Sequence, residues 1–506
     1  MLRIPYLIAI AVVFTLLCDS ADFHRSISSS PTRLNPLLAT DSASGAISGW
    51  IFTGLLKFDK NGKIVPDMAE SYRFEDNTTL VFKLKKGIKW HDGKEFDAYD
   101  VLFTWKWLRS ESVVTPYKSD FKYVKSIETP DRYTLRIEYS RPYFKALSIW
   151  MMGILPEHLW KDVSDPMRSD LNRLPVGTGP YRLEKAFGIN ERIILHANEK
   201  YYEHPPFIGR QIFHYIGDPS AEFMMLESGK LDIGSLSPLQ VSRQIDDDFK
   251  KRFDIYERPS QGYTYLGFNL RKRPFDDPRI RKAIAYAIDK KELIDLLFFS
   301  HGVPCHGPFM PGSDTYPNDY EPHGYDPEEA RKLLSQAGYG REKPLSFTLV
   351  TNTGNDIRIG AAQIIQQQLA RVGIDMKIRT MEWQAFLNTV VFPHRFDAVL
   401  LGWSLSLIPD AYPIWHSDSD KTGGFNFIGY HNEKVDKLIE RSESMTDRER
   451  FASVYREIFR LIVEDHPYVF LYIPNSITAI SKKIKGVEPS TILGIEHNFI
   501  DWRIED

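Results

Sequence analysis

The sequence predicts an α/β protein built from at least two lobes. A chain of 506 residues is too long to be organised around one hydrophobic core. Strand-like and helix-like segments alternate along its whole length, which is typical of α/β proteins. Hydrophobic residues make up 42% of the chain and charged residues 26%, as expected of an ordinary globular protein.

Periodicity and capping residues place the individual elements. Asp326-Pro327 is the clearest helix start, because a capping acid precedes Pro at the first helical position and two further acids face the positive end of the helix dipole. The succession of strand, helix and strand over 345–379 indicates a βαβ unit and hence parallel sheet. The predicted strands are 80–84, 193–195, 345–351, 375–379 and 469–473, and the predicted helices are 98–108, 221–226, 278–287, one from Asp289, 326–338, 357–372 and 447–464.

The N-terminus predicts export from the cytoplasm. Arg3 precedes an uncharged run over residues 4–17, which is too short to span a bilayer and typical of a secretory signal, so we expect a leader over 1–21. Cys18 fits the lipid-modified first residue of a bacterial lipoprotein, which would be the membrane attachment of the protein. Leu17 stands where that pattern has a small residue, and cleavage after Ala21 is the alternative.

The composition gives no support for nucleic-acid binding, cofactors or catalysis. The net charge is −3 and the basic residues are dispersed, so we expect no nucleic-acid partner. Phosphate-binding loops, zinc motifs and nucleophile elbows are missing from the sequence, so we expect a protein that is not an enzyme and has no cofactor. The nearest approach to a metal cluster is His301 to His306, but Pro304 bends this segment and a second ligand group is lacking. Cys305 loses its only disulfide candidate with the leader.

Ordered motifs over residues 30 to 490 carry a resemblance to a known family. The first part of the chain contains Leu34-Asn35-Pro36, Gly54-Leu55-Leu56, Pro66-Asp67-Met68-Ala69-Glu70-Ser71, 84–96, Gly177-Thr178-Gly179-Pro180-Tyr181 and 198–202. The second part contains 278–283, Tyr325-Asp326-Pro327, Ala337-Gly338-Tyr339, Phe396-Asp397, Gly402-Trp403, Gly429-Tyr430 and Val435-Asp436. In this order the set resembles the large solute-binding proteins of the dipeptide and oligopeptide ABC importers.

The resemblance implies a two-lobed "Venus flytrap" fold of the periplasmic-binding-protein type. The first lobe would comprise 22–263, with an extra subdomain at about 53–175, and the return segment 478–506. The second lobe would comprise 264–477, and strands near 265–269 and 472–477 would cross between the lobes. The function implied is that of a monomeric extracytoplasmic receptor in the periplasm or cell envelope. It would capture peptides in the interlobe cleft and deliver them to a membrane permease served by separate ATPase subunits.

The resemblance also implies a set of ligand-contacting positions. In the family an Asp three residues after the Trp of Gly402-Trp403 receives the ligand's ammonium, but this chain has Ser406 there, which leaves Asp410 as the candidate amine anchor. Alternation along the first crossing strand predicts that its polar and aromatic residues face the cleft. The candidates for ligand binding are Thr40, Asp41, Ser42, Tyr263, Tyr265, Asn269, Trp383, Trp403, Ser404, Ser406 and Asp410.

Other functions remain open from the sequence. A receptor of the same class for a nickel chelate, an oligosaccharide or another small solute would show the same motifs. A chemoreceptor ligand-presenter would differ only in its partner. An extracellular hydrolase would require a base-activated Ser or paired carboxylates, and no spacing of this kind is visible.

Overall fold

A computed structural model describes residues 22–186, 188, 191–421 and 423–505. The predicted leader over 1–21, including Cys18, lies outside these residues. Within the described ranges no helix combines the length and the apolar character needed to cross a bilayer.

The strands and helices alternate as the sequence predicts. The strands are β1 Phe23–Ile27, β2 Leu56–Phe58, β3 Ile64–Pro66, β4 Ala69–Phe74, β5 Thr79–Leu84, β6 Val124–Asp131, β7 Thr134–Tyr139, β8 Tyr181–Leu183, β9 Ile193–Ala197, β10 Arg210–Tyr215, β11 Ile233–Leu236, β12 Phe253–Pro259, β13 Gly262–Phe268, β14 Gly302–Pro304, β15 Leu345–Asn352, β16 Ile374–Met381, β17 Ala398–Ser404, β18 Tyr468–Ser481, β19 Ile484–Lys485 and β20 Arg503–Ile504. The helices are α1 Ser42–Ile51, α2 Ala98–Arg109, α3 Glu157–Trp160, α4 Pro219–Glu227, α5 Pro238–Arg243, α6 Asp247–Arg252, α7 Pro278–Ala287, α8 Lys290–Phe298, α9 Pro327–Gln336, α10 Asp356–Ala370, α11 Trp383–Phe386, α12 Tyr412–Trp415, α13 Glu433–Glu443 and α14 Arg448–Asp465.

Local sequence signals account for several of these boundaries. Asp326 caps α9 by accepting hydrogen bonds from the backbone N–H groups of Glu328 and Glu329, and Pro327 occupies the first turn, as predicted. Asp97 and Asp289 cap α2 and α8 in the same way. The predicted βαβ unit is confirmed, because β15 and β16 pair in parallel with α10 between them.

One continuous sheet of twelve described strands runs through the molecule. Its order is β16-β15-β17-β13-β18-β11-β1-β10-β9-β8, with β12 and β14 also paired to β18. A separate antiparallel sheet, β4-β5-β7-β6, lies within the range expected for the extra subdomain. The long sheet is therefore held together at its centre by β18.

Strand β18 belongs to two halves of the structure. Its first half pairs with β13 and β14, and its second half pairs with β12 and β11. The change of partners falls at Pro474 and Asn475. The other connection lies between β12 and β13, where the N–H of Ser260 donates to the carbonyl of Pro474 at 2.9 Å. We call this double crossing the hinge. Residues 265–269, expected to cross, lie within β13 and the segment that follows it.

Buried apolar side chains divide on either side of the hinge. Two hydrophobic clusters are formed by residues from Phe23 to Phe253 together with residues from Ile477 onward. Two others are formed by residues between Tyr263 and Ile473. We refer to these halves as the first lobe and the second lobe. The C-terminal segment returns to the first lobe, where the ring of Phe499 lies 5.1 Å from that of Phe23.

Candidate ligand-binding site

Strand directions place the functional loops of both lobes at the hinge. In the first lobe β11 is antiparallel to β18, β1 is parallel to β11, and β10 is parallel to β1. All three strands therefore end toward the hinge. In the second lobe β17 is antiparallel to β13 and ends opposite Gly262, while β15 and β16 run parallel to it. In open α/β sheets ligands bind beyond the carboxyl ends of the strands. Here the strand ends of both lobes point toward the hinge, and we call the region between them the cleft.

An aromatic stack forms the second-lobe wall of this cleft. The ring of Trp403, at the end of β17, is parallel to that of Tyr265 with centroids 6.1 Å apart. Tyr265 stacks in turn on Tyr468 at 3.9 Å, and the indole Nε1–H of Trp403 donates to the Tyr468 hydroxyl at 3.4 Å. Tyr265 is completely buried, so it supports the half-buried Trp403 and is itself inaccessible to a ligand.

A half-buried arginine lies beside this stack. Arg358, in the first turn of α10, donates from Nη1 to Asn352 Oδ1 at 3.0 Å. A Cβ on Gly402 would lie 3.2 Å from Arg358 Nη2, so the glycine of the Gly-Trp pair leaves space for the guanidinium. None of the ion pairs among the described residues involves Arg358. Burial lowers the pKa of Arg358 below its ordinary value, yet an arginine keeps its charge at any physiological pH.

The predicted amine anchor binds an amine of the protein itself. Asp410 Oδ2 lies 3.0 Å from Lys145 Nζ, which comes from the first lobe. Lys145 also donates to Asp120 Oδ1 at 3.3 Å. Burial opposes the charge of Lys145, but the carboxylates of Asp410 and Asp120 raise its pKa overall. Asp410 Oδ1 in addition accepts the N–H of Tyr412 at 3.1 Å, so the residue caps the following turn as well.

The loop between Trp403 and Asp410 exposes two serines among half-buried apolar residues. Ser404 is exposed and pairs with Gly262 at the hinge end of β17. Ser406, which replaces the expected Asp, is also exposed and accepts the N–H of Ile408 at 3.2 Å.

In the first lobe, the predicted contact loop leads into α1. Asp41 caps this helix, accepting the N–H of Ser44 at 2.8 Å and the hydroxyls of Ser44 at 2.6 Å and Thr32 at 2.7 Å. Although partial burial works against its charge, these hydrogen bonds lower the pKa of Asp41. Thr40 and Ser42 are exposed beside it. The Asp41 carboxylate is thus already hydrogen-bonded to Ser44 and Thr32, whereas the side chains of Thr40 and Ser42 are accessible to a ligand.

A cavity of 410 Å³ opens between α1 and the segments 116–121 and 148–153. Gly45 and Gly49 form its α1 wall, where a Cβ would meet nothing within 4 Å. Asp120 lines the same cavity and contacts Lys145, so the cavity reaches the boundary between the lobes.

Further contacts join the lobes at this boundary. The ring of Phe144 stacks on that of Phe451 at 5.3 Å with an interplanar angle of 12°. The N–H of Phe144 donates to the carbonyl of Glu443 at 3.0 Å, and Arg141 forms an ion pair with the Glu443 carboxylate. Residues 141–145 therefore contact the second lobe through a stack, a backbone hydrogen bond and two ion pairs.

Of the three remaining predicted residues two are buried, although the backbone of Tyr263 lies opposite that of Trp403 in the β13–β17 pair. Asn269 is buried beyond the end of β13 that lies away from the hinge, and its Nδ2 donates to the carbonyls of His394 and Phe396. Tyr263 is buried in the second-lobe core with its ring 5.4 Å from Phe470. Trp383 begins α11 beyond β16 and is 39% exposed, but its recorded ring contact is with Phe386.

Sequence reasoning missed Arg358 and Lys145. Arg358 follows the carboxyl end of a predicted parallel strand, a position at which a charged side chain reaches the ligand crevice, and this signal was available. Lys145 has no comparable signal, because its partner Asp410 is distant in sequence and belongs to the other lobe.

Two α/β lobes joined by a double crossing, with the carboxyl ends of the parallel strands of each lobe facing the cleft, define the class of two-lobed solute-binding proteins. The chain belongs to the bacterial extracellular solute-binding proteins, family 5, whose middle region matches residues 63–425. It is therefore a binding receptor rather than an enzyme, and it acts outside the cytoplasm.

Known relatives span nearly the whole chain. The oligopeptide-binding protein AppA of Bacillus subtilis is 31% identical over 475 residues, covering 90% of this chain and 87% of AppA. The structure of B. subtilis AppA in complex with a nonapeptide is similar with a TM-score of 0.76 and 29% identity, covering 96% of this chain and 99% of that one. NikZ from Campylobacter jejuni in complex with Ni(L-His) is similar with a TM-score of 0.79 and 26% identity, covering 96% and 99% of the two chains.

Proposed function

We propose that the protein captures peptides between its lobes and delivers them to an ABC-type membrane permease with separate ATPase subunits. The relatives named above include an oligopeptide-binding protein whose structure holds a nonapeptide. The observation that carries the proposal is the pair of opposite charges at adjacent strand ends, Arg358 after β15 and Asp410 after β17. A peptide with free termini carries the complementary charges, an ammonium at one end and a carboxylate at the other.

Arg358 is the proposed anchor for the peptide carboxylate. Its guanidinium is held by Asn352 and fits against Gly402, so little side-chain freedom is lost when a ligand binds. Arginine binds carboxylates through two parallel hydrogen bonds, and such charge-assisted bonds contribute roughly 1.5 to 3 kcal/mol each in proteins.

Asp410 is the proposed anchor for the peptide ammonium. Lys145 already satisfies this carboxylate, so the incoming ammonium has to replace the lysine. Asp120 remains as an alternative partner for Lys145, which limits the cost of the exchange. Asp410 would then serve in place of the Asp that relatives carry at the position of Ser406.

The remaining groups of the cleft suit a receptor that recognises many peptides. Trp403 offers an aromatic wall on the second lobe, and Thr40 and Ser42 offer exposed hydroxyls on the first. The 410 Å³ cavity beside Asp120 falls in the size range of small-ligand pockets and would accept a peptide side chain. We leave Asn269 and Tyr263 out of the proposed site because both are buried.

Several finer features belong to the same proposal. The receptor is proposed to act as a monomer in the periplasm or cell envelope, with lipidation of Cys18 as its membrane attachment. The lobes are proposed to divide at Ser260–Gln261 and Pro474–Asn475 rather than at residues 263 and 477, since the strand partners change there.

Native mass spectrometry of the protein purified without added ligand tests the proposal. Co-purified masses that fragment as peptides would support it, and so would binding of synthetic peptides by calorimetry. A retained nickel chelate or oligosaccharide, together with no measurable peptide binding, would move the assignment to another solute within the same family.

A further inference from the structure

A second pocket lies in the second lobe, away from the hinge. Its volume is 200 Å³, and it is enclosed by the end of α7, the start of α8, residues 304–325 and the start of β18. The β18 residues that line it, Tyr468–Phe470, pair with Tyr265–Gly267 of β13, the part of that strand remote from the crossing. The pocket shares Tyr468 with the aromatic stack, but none of the residues proposed to contact the peptide lines it.

Five nitrogen-bearing side chains line this pocket: Lys291 and the four that carry the argument below, Lys290, His306, His323 and His466. We call it the lysine–histidine pocket. Among the ion pairs of the described residues, none includes any of these four side chains. The neighbouring Lys291 differs, because its ammonium is paired with Asp295.

The lysine has an uncharged partner only. Lys290 Nζ donates to the backbone carbonyl of Cys305 at 2.8 Å, and its other two donors have no hydrogen-bond partner within the described part of the chain. The acids at the pocket's edge are used elsewhere: Asp289 caps α8 through the N–H groups of Lys291 and Glu292, and Asp326 caps α9.

The histidines also retain unused hydrogen-bonding capacity. His306 Nδ1 is buried without a partner in the described structure. His323 Nδ1 lies 3.2 Å from the Tyr286 hydroxyl, and the rings of His323 and His466 are 5.9 Å apart. Buried polar atoms are rarely left unpaired, so the orphaned nitrogen of His306 points to a missing partner.

The electrostatics of the pocket favour an anion. Burial, together with the charge of Lys290, lowers the pKa of His306 to about 4, and burial lowers the pKa of His466 to about 4. Burial, Lys282 and Lys290 lower the pKa of His323. Burial lowers the pKa of Lys290 itself to about 8, so this ammonium still supplies a positive charge at neutral pH, and no carboxylate of the described residues forms an ion pair with it.

We propose that the lysine–histidine pocket binds a small oxyanion, a phosphate or a small carboxylate, as a site additional to the peptide cleft. The ammonium of Lys290 supplies the charge, and neutral imidazoles with the nearby tyrosine hydroxyls supply directed donors. A volume of 200 Å³ is below the range for drug-sized ligands, which limits the occupant to a few heavy atoms. A metal cation is disfavoured by the lysine charge, and the described residues hold no group of three or more metal-ligating side chains.

Calorimetric titration of the full mature protein tests this site. The probes are inorganic phosphate, sulfate and acetate, with chloride at matched ionic strength as the reference. Saturable binding of one of the oxyanions is expected, and the preferred probe identifies the oxyanion class. Absence of saturable binding, or an equal effect of chloride, would overturn the proposal.

Two variants and a matched control locate the binding. Lys290→Met and His306→Leu are each expected to weaken oxyanion binding at least tenfold, whereas Lys437→Met removes an exposed lysine of the second lobe that does not line the pocket and should leave binding unchanged. Equal affinity in all three variants would place the anion elsewhere and refute the assignment. His306→Leu guards against loss of folding, since His306 Nδ1 has no partner to lose, and unchanged peptide affinity of each variant shows that the receptor is intact.

Discussion

Lys145 of the first lobe lies 3.0 Å from Asp410 of the second, so a carboxylate proposed to bind a peptide's ammonium is held by an ammonium of the protein. The ammonium of Lys145 and the ammonium of an incoming ligand repel each other at the same carboxylate. Peptide affinity is therefore expected to reflect a competition between the two amines.

Replacing Lys145 with Met tests this competition. The variant should bind peptides with a free N-terminus about tenfold more tightly, equivalent to roughly 1.4 kcal/mol, because Asp410 no longer has to be released. N-acetylated peptides should bind the variant and the wild type equally, as measured by calorimetry. A loss of affinity for both kinds of peptide would instead show that the pair acts to hold the lobes together.

Replacing Arg358 with Met tests the carboxylate anchor. Affinity for peptides with a free C-terminus should fall at least tenfold, because two charge-assisted hydrogen bonds are lost. C-terminally amidated peptides should be affected much less. Arg371→Met, which removes a cation at the opposite end of α10, is the matched control. If both variants weaken binding alike, the anchor lies elsewhere.

Gly402→Ala should disturb the same anchor without removing it. The added Cβ would lie 3.0 Å from the carbonyl of Tyr263 and 3.2 Å from Arg358 Nη2, so the guanidinium has to shift. We expect a several-fold loss of peptide affinity in titrations. Gly340→Ala is the control, since its Cβ would meet nothing within 4 Å. Unchanged affinity of the Gly402 variant would show that the guanidinium position is not critical.

The stack between Phe144 and Phe451 predicts an effect on lobe closure. Aromatic pairs contribute about 0.5 to 1.5 kcal/mol beyond their buried area, so Phe144→Ala should shift the ligand-free population toward open forms about three- to tenfold. Small-angle scattering should report a larger radius of gyration for this variant than for Phe207→Ala, an exposed aromatic of the first lobe. Identical scattering of the two variants would contradict the prediction.

His91 should make stability depend on acid pH. Its Nδ1 accepts the N–H of Gly177 at 3.2 Å and its Nε2 donates to the carbonyl of Gly179 at 3.0 Å, and burial lowers its pKa from 6.5 to about 4. As the pH falls, His91 takes up a proton in the unfolded chain before it does so in the folded chain. The free energy of unfolding is therefore unaffected by His91 above pH 6.5 and decreases by about 2 to 3 kcal/mol as the pH falls toward 4.

The comparison of His91→Asn with wild type checks this dependence. The variant is less stable at pH 7, but its midpoint of urea unfolding should change less between pH 6.5 and 4. His204→Asn, at an exposed histidine, should behave like wild type. A parallel decline of wild type and His91→Asn would exclude His91 as a source of the acid sensitivity.

Features determined by neighbouring residues could be predicted from the sequence. The Asp326-Pro327 start of α9 and the βαβ unit around α10 depend on local capping and periodicity, and both are present. The two-lobed fold followed from ordered motifs over most of the chain, and the family match confirms it.

The candidate site was harder to predict because it depends on distant parts of the chain. Alternation correctly places Tyr263 and Tyr265 on one face of β13, but it does not distinguish a cleft from a covered face, and both tyrosines are buried under the second-lobe core. The pairing of Lys145 with Asp410 depends on how the two lobes meet. Asp410 could be proposed from the sequence, but the amine that occupies it could not.

Strand β18 also imposes an order on folding. Most of the first lobe precedes residue 260, yet its sheet has a gap between β11 and β12 until the second half of β18 is inserted. That half, residues 475–481, becomes available only after the second lobe has been synthesised. The first lobe is thus synthesised first but completed last. A protein truncated before the second half of β18 would lack the central strand of that lobe.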